Sequence, residues 1–154
     1  MLLSRYPLSN TNVIYPGTAG IPTVTANVHL PQGEISVIGT HPLPPLGPGY
    51  SRHRNLQLME LPYLVMEQKK PVFLIGDLNC SPWSYWFRRI LSESGLKNSM
   101  QGFGFQPSWP ADNRLLRIPI DHVLHDEQII IHKRFIGSSV GSDHLPVTVD
   151  FAVR

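Results

Sequence analysis

Near the middle of the chain stands the stretch Pro71-Val72-Phe73-Leu74-Ile75-Gly76-Asp77-Leu78-Asn79, an apolar run followed by two polar side chains. A short continuous apolar run is typical of a strand that is buried on both faces of a sheet. Loops at the ends of such strands are where a rigid sheet brings distant side chains together. The stretch therefore predicts a central strand and marks Asp77 and Asn79 as candidate functional residues.

The rest of the chain reads as further strands and two helices. Strands are predicted over residues 23–30, 34–40, 118–125, 128–136 and 145–153, the first two as a hairpin. Helical spacing predicts one helix over 51–69, which Pro62 should kink or split. Ser81, as N-cap before a proline, predicts a second helix that runs to about Ser94. Strands mixed with two helices indicate an α/β layered domain.

Composition narrows the class of protein. The chain has 154 residues, 42% hydrophobic and 16% charged, which allows one domain with a real core and excludes disorder. The net charge is +2, and the basic residues are scattered as solvated pairs rather than gathered in the dense stripe of a dedicated nucleic-acid binder. The one cysteine, Cys80, excludes an internal disulfide and is interpreted as a small buried side chain rather than a nucleophile.

Neither a membrane span nor a signal peptide is visible in the sequence. No apolar run approaches the length of a span, and residues 1–7 lack the long apolar stretch of a secretory signal. This favours a cytoplasmic protein, and the alternative is that a targeting segment lies upstream.

Four short polar motifs stand at the ends of predicted strands. They are Gly39-Thr40-His41-Pro42, Gly76-Asp77-Leu78-Asn79, Ile120-Asp121-His122-Val123 and Gly141-Ser142-Asp143-His144-Leu145-Pro146-Val147. Taken singly, most of these read as ordinary turns, since Asp and Asn satisfy local backbone groups. Four of them together, each beside a strong strand sequence, are hard to explain as turns.

The polar groups of these motifs match what cleavage of a phosphate ester requires. Such a reaction needs an activated water and neutralisation of charge on the phosphoryl oxygens. Asp77 can orient or deprotonate the water, and Asn79 can donate to a phosphoryl oxygen or hold that water. Asp143 can bind a hard cation such as Mg²⁺, which prefers carboxylate oxygen.

The imidazoles of the motifs supply the remaining parts of that chemistry. His144 can act as an acid/base or as a cationic clamp. Asp121 can fix the tautomer of His144 and raise its basicity, as an Asp does for the catalytic His of other hydrolases. His41 provides a second imidazole near the phosphate.

This set of motifs resembles the endonuclease/exonuclease/phosphatase superfamily, which includes DNase I-like nucleases, abasic-site endonucleases, sphingomyelinases and inositol phosphatases. The matching residues occur in the family's order: His41, Asp77 with Asn79, Asp121, and Asp143 with His144. Weaker matches are Leu3-Ser4-Arg5-Tyr6-Pro7, which looks like a strand of the family, and Ser108-Trp109-Pro110. The runs Arg54-Asn55-Leu56-Gln57-Leu58 and Asn79-Cys80-Ser81-Pro82-Trp83-Ser84 look most like the bacterial YafD-like branch.

The resemblance implies a DNase I-like layered β-sandwich flanked by helices. It also implies a phosphoesterase that depends on Mg²⁺ or Mn²⁺. The catalytic residues would be His41, Asp77, Asn79, Asp121 and His144, with Asp143 as a metal ligand. The substrate would be a phosphate ester, and nucleic acid, phospholipid headgroups and small phosphates all stay open.

The sequence departs from the family at its front. Family members begin with an Asn strand and then a Gln-Glu strand whose Glu is the principal metal ligand, yet residues 1–22 contain no glutamate. Asn10 and Asn12 lie in a loop-like stretch that does not fit the Asn strand. The resemblance therefore implies that residues 1–154 form a single domain truncated at the N-terminus, about the C-terminal two-thirds of the fold, without the principal Glu.

Two consequences follow for the expected activity and assembly. Loss of strands should expose apolar surface and an open sheet edge, which a homodimer would cover. The first hypothesis for function is a metal-dependent phosphoesterase. The second is a catalytically impaired fragment, or a non-catalytic chain that needs another segment or subunit for metal. A purely structural protein is the third.

Overall fold

The computed structural model describes residues 1–69 and 71–154. In chain order its elements are β1 (Leu8–Ile14), β2 (Thr23–Leu30), β3 (Gly33–Thr40), α1 (Pro48–Met66), β4 (Val72–Asp77), α2 (Tyr85–Ser94), β5 (Lys97–Asn98), β6 (Asp121–His125), β7 (Ile129–Ile136) and β8 (Val147–Val153). No helix among the described residues is long and apolar enough to cross a membrane.

The strands form two sheets. One has six strands in the order β1-β2-β3-β4-β6-β5, and the other consists of β7 and β8. Strands β3 and β4 run parallel, whereas all other neighbours are antiparallel. The predicted α/β layered architecture, with the hairpin of β2 and β3, is confirmed.

Strand β4 separates two apolar cores. Val72 and Leu74 belong to the core that the helices cover, whereas Phe73 belongs to the core on the opposite face of the sheet. Because successive side chains of a strand point to opposite faces, a strand with a core on each side must be apolar throughout. This confirms the central strand that was predicted from the apolar run.

The core between the two sheets is less closed than the core beneath the helices. The rings of Phe73 and Phe151 meet across it with their centroids 4.9 Å apart. Beside this contact lies an open cleft of about 930 Å³, lined mainly by apolar side chains of both sheets. Protein interiors are normally packed without voids of this size. The inner faces of the two sheets are therefore only partly covered.

The N-terminal segment differs from the prediction. Asn10 and Asn12, expected in a loop, lie within β1, which pairs with β2 through an irregular register between Ser9 and Asn12. Asn10 has a φ of 49°, a conformation that Asn tolerates, so the strand accommodates a bulge at this point. Residues 3–7, expected as a strand, precede β1 and are outside it.

Helix α1 lies three residues earlier than expected, has the expected length of 19 residues and is not split at Pro62. It begins at Pro48, a favourable first position for proline, and continues through Pro62 to Met66. Pro62 removes one backbone donor, yet Leu58, Leu61 and Val65 on the same face are almost fully buried. Packing of this face against the sheet holds the helix together in spite of the proline.

Helix α2 starts three residues later than the sequence signal suggested. The N-cap is Ser84, whose hydroxyl accepts a hydrogen bond from the Phe87 amide at 3.2 Å, and not Ser81. The carbonyl of Ser81 instead accepts from the Ser84 amide in a preceding turn. The predicted end is confirmed, because Gly95 adopts the left-handed conformation that closes a helix.

The last predicted strands are correct in place but start late. Strand β6 begins at Asp121 and not at residue 118, and β8 begins at Val147 and not at residue 145. Pro119 and Pro146 precede these starts and lack the backbone donor that a central ladder needs. Ile118 instead forms an isolated bridge with Trp109.

Candidate active site

Three strand ends of the six-stranded sheet meet at the candidate site. Because β3 and β4 are parallel, His41 after β3 and Asp77 at the end of β4 come to the same edge. Strand β6 is antiparallel to β4, so its first residue, Asp121, lies directly opposite Asp77 in the register. The fourth motif reaches this edge from the loop before β8.

His41 contacts the carboxylate of Asp77. Its Nε2 lies 3.4 Å from Asp77 Oδ2, and the imidazole is largely exposed whereas the carboxylate is buried. Hydrogen bonding to Asp77 raises the pKa of His41 above its ordinary value, although partial burial opposes the shift. A protonated His41 would place a positive charge at the mouth of the site.

His144 is held by Asp121. Its Nδ1 donates to Asp121 Oδ2 at 2.8 Å, and its Nε2 lies 3.9 Å from Asp77 Oδ2. Because a carboxylate can only accept, Nδ1 carries a proton, and Nε2 is left facing the site. The structure thus brings Asp77, Asp121 and His144 together, with one ligand atom of each within 4.8 Å of the others.

Asn79 lies beside this group and its amide nitrogen is engaged with the backbone. Nδ2 donates to the Pro42 carbonyl at 2.9 Å, and the backbone amide donates to Asp77 Oδ1 at 2.7 Å. These bonds tie the loop after β3 to the turn after β4. The side-chain Oδ1 of Asn79 accepts no hydrogen bond from the described residues.

Asp143 is exposed and does not belong to the group of three. Its Oδ1 accepts from the Ser142 hydroxyl at 3.5 Å, and its backbone carbonyl accepts from the Ala111 amide at 2.7 Å. The backbone bond fixes the loop and leaves the carboxylate accessible.

No glutamate among the described residues belongs to the group either. Glu34, the first in the chain, accepts a hydrogen bond from Asn27 Nδ2 near the far end of β3. At the usual rise of a strand it lies roughly 20 Å from His41.

Several residues near the site were not expected there from the sequence, which indicated solvent-exposed basic residues and no role for His122. Arg134 is 3% exposed, donates to the Ser99 hydroxyl at 3.1 Å and reaches towards the Asp121 carbonyl. Arg54 binds the carbonyl of Asn79, and His122 binds that of Cys80. No local sequence signal separates Arg54 and Arg134 from solvated arginines, because their partners beside the site, Asn79 and Asp121, are distant in sequence.

Comparison with known families decides the identity of the fold. The profile of the endonuclease/exonuclease/phosphatase family matches residues 1–144. The chain belongs to this family. No curated protein sequence matches the chain. The narrower assignment to a YafD-like branch stays a prediction.

Several solved structures share the fold at low sequence identity. An endonuclease/exonuclease/phosphatase from Beutenbergia cavernae DSM 12333 matches with a TM-score of 0.79 and 20% identity, over 97% of this chain and 46% of its own. The human Nocturnin catalytic domain with bound sulfate anion matches with a TM-score of 0.76 and 18% identity, over 97% and 61%. The 3′ phosphatase NExo from Neisseria bound to product DNA hairpin matches with a TM-score of 0.76 and 18% identity, over 97% of this chain and 73% of its own.

The chain spans about half the length of the first of these structures and about three-fifths of the second. Within the endonuclease/exonuclease/phosphatase fold, the described residues thus supply the strand ends that carry His41, Asp77, Asp121 and His144.

Proposed function

We propose that this chain hydrolyses phosphate esters with His41, Asp77, Asn79, Asp121 and His144 as its catalytic residues. The observation that carries the proposal is the His144–Asp121 pair, with its 2.8 Å hydrogen bond, facing the Asp77 carboxylate across 3.9 Å. A carboxylate-oriented imidazole beside a second carboxylate is an arrangement that suits general acid–base chemistry. The family membership supports this reading.

Each catalytic group has a role that follows from its contacts. Asp77 Oδ2, between two imidazoles, would accept a proton from the attacking water or orient that water. His144 Nε2 would exchange a proton with the reacting oxygens while Asp121 holds the tautomer. His41, when protonated, would bind a phosphoryl oxygen, and Asn79 would orient the water through Oδ1.

The residues present fit a weakly held hard cation. Mg²⁺ is usually bound by one or two carboxylates together with waters and substrate phosphate. Asp77 would hold it together with the carboxylate of Asp121, which belongs to the same group. The exposed Asp143 lies outside that group and would have to approach it to serve as the predicted ligand. The bound cation would neutralise charge on the phosphoryl oxygens. Without a glutamate in the group, we expect affinity for Mg²⁺ or Mn²⁺ to be weak.

Turnover of bis(p-nitrophenyl) phosphate and p-nitrophenyl phosphate, with Mg²⁺ or Mn²⁺, tests the proposal. Asp77→Ala and His144→Ala should each lower the rate by about 10²-fold or more, since acid–base groups contribute on this order. Asp150→Ala and His132→Ala remove the same side chains from exposed positions on β8 and β7 and should leave the rate unchanged.

A rate that is equal in the wild type and in both site variants would show that the turnover comes from elsewhere. A wild type without turnover at any metal concentration would favour the second candidate function, a chain of the same fold that needs another segment or subunit for metal. The lack of a glutamate beside Asp77 is the observation that favours this candidate.

We further propose that residues 1–154 are the C-terminal two-thirds of one domain and that its open inter-sheet cleft is covered in the functional form. A homodimer or an upstream segment would provide the cover. Sedimentation of the wild type and of Val149→Lys, a residue that lines the cleft, separates the two. A dimer that Val149→Lys dissociates supports self-association, and a wild-type monomer rejects it. An upstream segment, where the gene encodes one, should then raise activity.

A further inference from the structure

The turn from Asp77 to Cys80 decides which oxygen of Asp77 faces the site. The Asn79 amide occupies Oδ1 at 2.7 Å, so Oδ2 is the atom that His41 and His144 approach. Asn79 itself has a φ of 49°, in the left-handed region that Asn tolerates and that occurs in turns. The orientation of the carboxylate therefore depends on what holds this turn.

Arg54 of α1 holds the turn from one side. Its Nη1 donates to the Asn79 carbonyl at 2.9 Å, while Nε and Nη2 both donate to Asn55 Oδ1, at 3.1 and 2.8 Å. Two bonds to a residue of the same helix thus fix the orientation of the planar guanidinium, and its third bond goes to the turn. A rigid fork of donors loses little freedom for each bond that it makes.

His122 of β6 holds the next carbonyl from the other side. Its Nε2 donates to the Cys80 carbonyl at 2.8 Å, its side chain is 3% exposed, and its ring packs on Phe87 with centroids 4.4 Å apart. Two successive carbonyls after Leu78 are thus anchored to different elements. Of the two anchors, Arg54 acts on Asn79, the residue whose amide binds Asp77.

We infer that Arg54 is a positioning residue, which holds the Asn79 peptide so that Asp77 Oδ2 faces His41 and His144. The hydrogen bond from Arg54 to the turn is a feature of the geometry. The effect of this bond on catalysis rests on the proposed function. Arg54 hydrogen-bonds the backbone carbonyl of Asn79 and not the side-chain atoms that would act on the substrate. Its loss should therefore change how well those atoms are placed and not how tightly a phosphate binds.

Hydrogen exchange and kinetics test this role in the full chain. Arg54→Met removes the donors and keeps most of the side-chain length, and Arg52→Met is the matched control on the exposed face of the same helix. In Arg54→Met the Asn79 amide should exchange at least about tenfold faster, while the Leu74 amide in β4 keeps its wild-type rate.

On bis(p-nitrophenyl) phosphate, kcat should fall about tenfold or more with KM changed less than about twofold, since small misplacements of reacting groups cost this much.

The outcomes separate a positioning role from a general effect on stability. Arg54→Gln, too short to reach the Asn79 carbonyl, is the second variant should Arg54→Met not fold, and Arg54→Lys should recover part of the protection. Wild-type protection of the Asn79 amide in either folded variant would overturn the inference, as would equal acceleration at Leu74. If the wild type shows no turnover, the proposed function fails for this chain, and the exchange rates still decide whether Arg54 holds the turn.

Discussion

The two oxygens of Asp77 have different partners, and this difference organises the site. Oδ1 accepts from the backbone of its own turn, whereas Oδ2 faces the imidazoles of His41 and His144. Asp121 in turn holds Nδ1 of His144 and leaves Nε2 towards Asp77. A carboxylate that is held on one side and free on the other presents a defined direction to a water or a cation.

The first prediction concerns the pKa of His41 in metal-free protein. Asp77 raises this pKa, so Asp77→Asn should lower it towards the ordinary value of 6.5. An NMR titration of the imidazole in the presence of a chelator measures the change. Asp112→Asn, at an exposed position, should leave the titration unchanged. A His41 pKa that is the same in wild type and Asp77→Asn would contradict the contact.

The second prediction concerns acid stability and His122. Burial lowers the pKa of His122 from 6.5 to about 4. Between about pH 6.5 and pH 4, this imidazole is therefore protonated in the unfolded chain and neutral in the folded chain. Stability therefore declines as pH falls across this window. The decline due to this residue amounts to roughly 2 kcal/mol between pH 7 and pH 4.5.

His122→Gln tests this linkage because the glutamine amide can still donate to the Cys80 carbonyl and does not titrate. Urea unfolding at both pH values should show that the variant loses less stability than the wild type by about that amount. His132→Gln, at an exposed position, is the control. Equal losses in wild type and His122→Gln would show that His122 already titrates freely in the folded chain.

At the scale of elements, the close approach of β3 and β4 brings His41 beside Asp77. Gly76 has a φ of 140°, and a Cβ at this position would lie 1.9 Å from the Thr40 carbonyl oxygen. Thr40 is itself held by Gln57 of α1, whose Nε2 donates to its hydroxyl at 3.1 Å. A glycine is therefore required where the ends of the two strands meet.

The third prediction follows from this contact. Gly76→Ala should destabilise the protein by about 2 kcal/mol or more, because both the backbone conformation and the contact with Thr40 are strained. It should also slow turnover, since His41 and Asp77 would move apart. Gly49→Ala, where a Cβ meets nothing and φ is not positive, should cost less than about 0.5 kcal/mol. Chemical denaturation that ranks the two variants alike would contradict the prediction.

At the scale of the whole molecule, the two faces of the six-stranded sheet are covered unequally. Helices α1 and α2 close the core that contains Phe87, which is 1% exposed. The smaller sheet covers the other face in part and leaves the cleft beside Phe151. The candidate site lies at the strand ends where this cleft opens, since His41, Asp121 and His144 are among the residues that line the cleft.

The fourth prediction compares the two cores. Phe87→Ala should cost about 3–5 kcal/mol, as is usual for a fully buried phenylalanine. Phe151→Ala should cost clearly less, about 1–2 kcal/mol, because Phe151 is only half-buried and already borders open space. Urea unfolding of the two variants measures the difference. Equal costs would indicate that the cleft is closed in solution, for instance by a second copy of the chain.

Which elements could be predicted from the sequence depends on how far apart in the chain the residues that stabilise them lie. The central strand, the hairpin and the end of α2 at Gly95 were predictable because they depend on side-chain periodicity and on glycine. Strand β1 and the continuation of α1 through Pro62 were not, since both depend on packing against distant parts of the chain. The start of α2 was missed because Ser81 followed by Pro82 is a strong local start signal, whereas the helix begins after Ser84.

By itself the sequence determined the order of the elements from β2 onward, except the two-residue β5, and the motifs at their ends, because apolar periodicity and polar residue types are local properties. The sequence also suggested that Asp121 supports His144, and the structure shows the 2.8 Å hydrogen bond between them. Only the tertiary structure decided that Asp77 lies opposite Asp121 and that Arg54 and His122 anchor the turn after β4. These contacts join residues that are far apart in the chain. They exist because parallel and antiparallel pairing bring the ends of β3, β4 and β6 to one edge of the sheet.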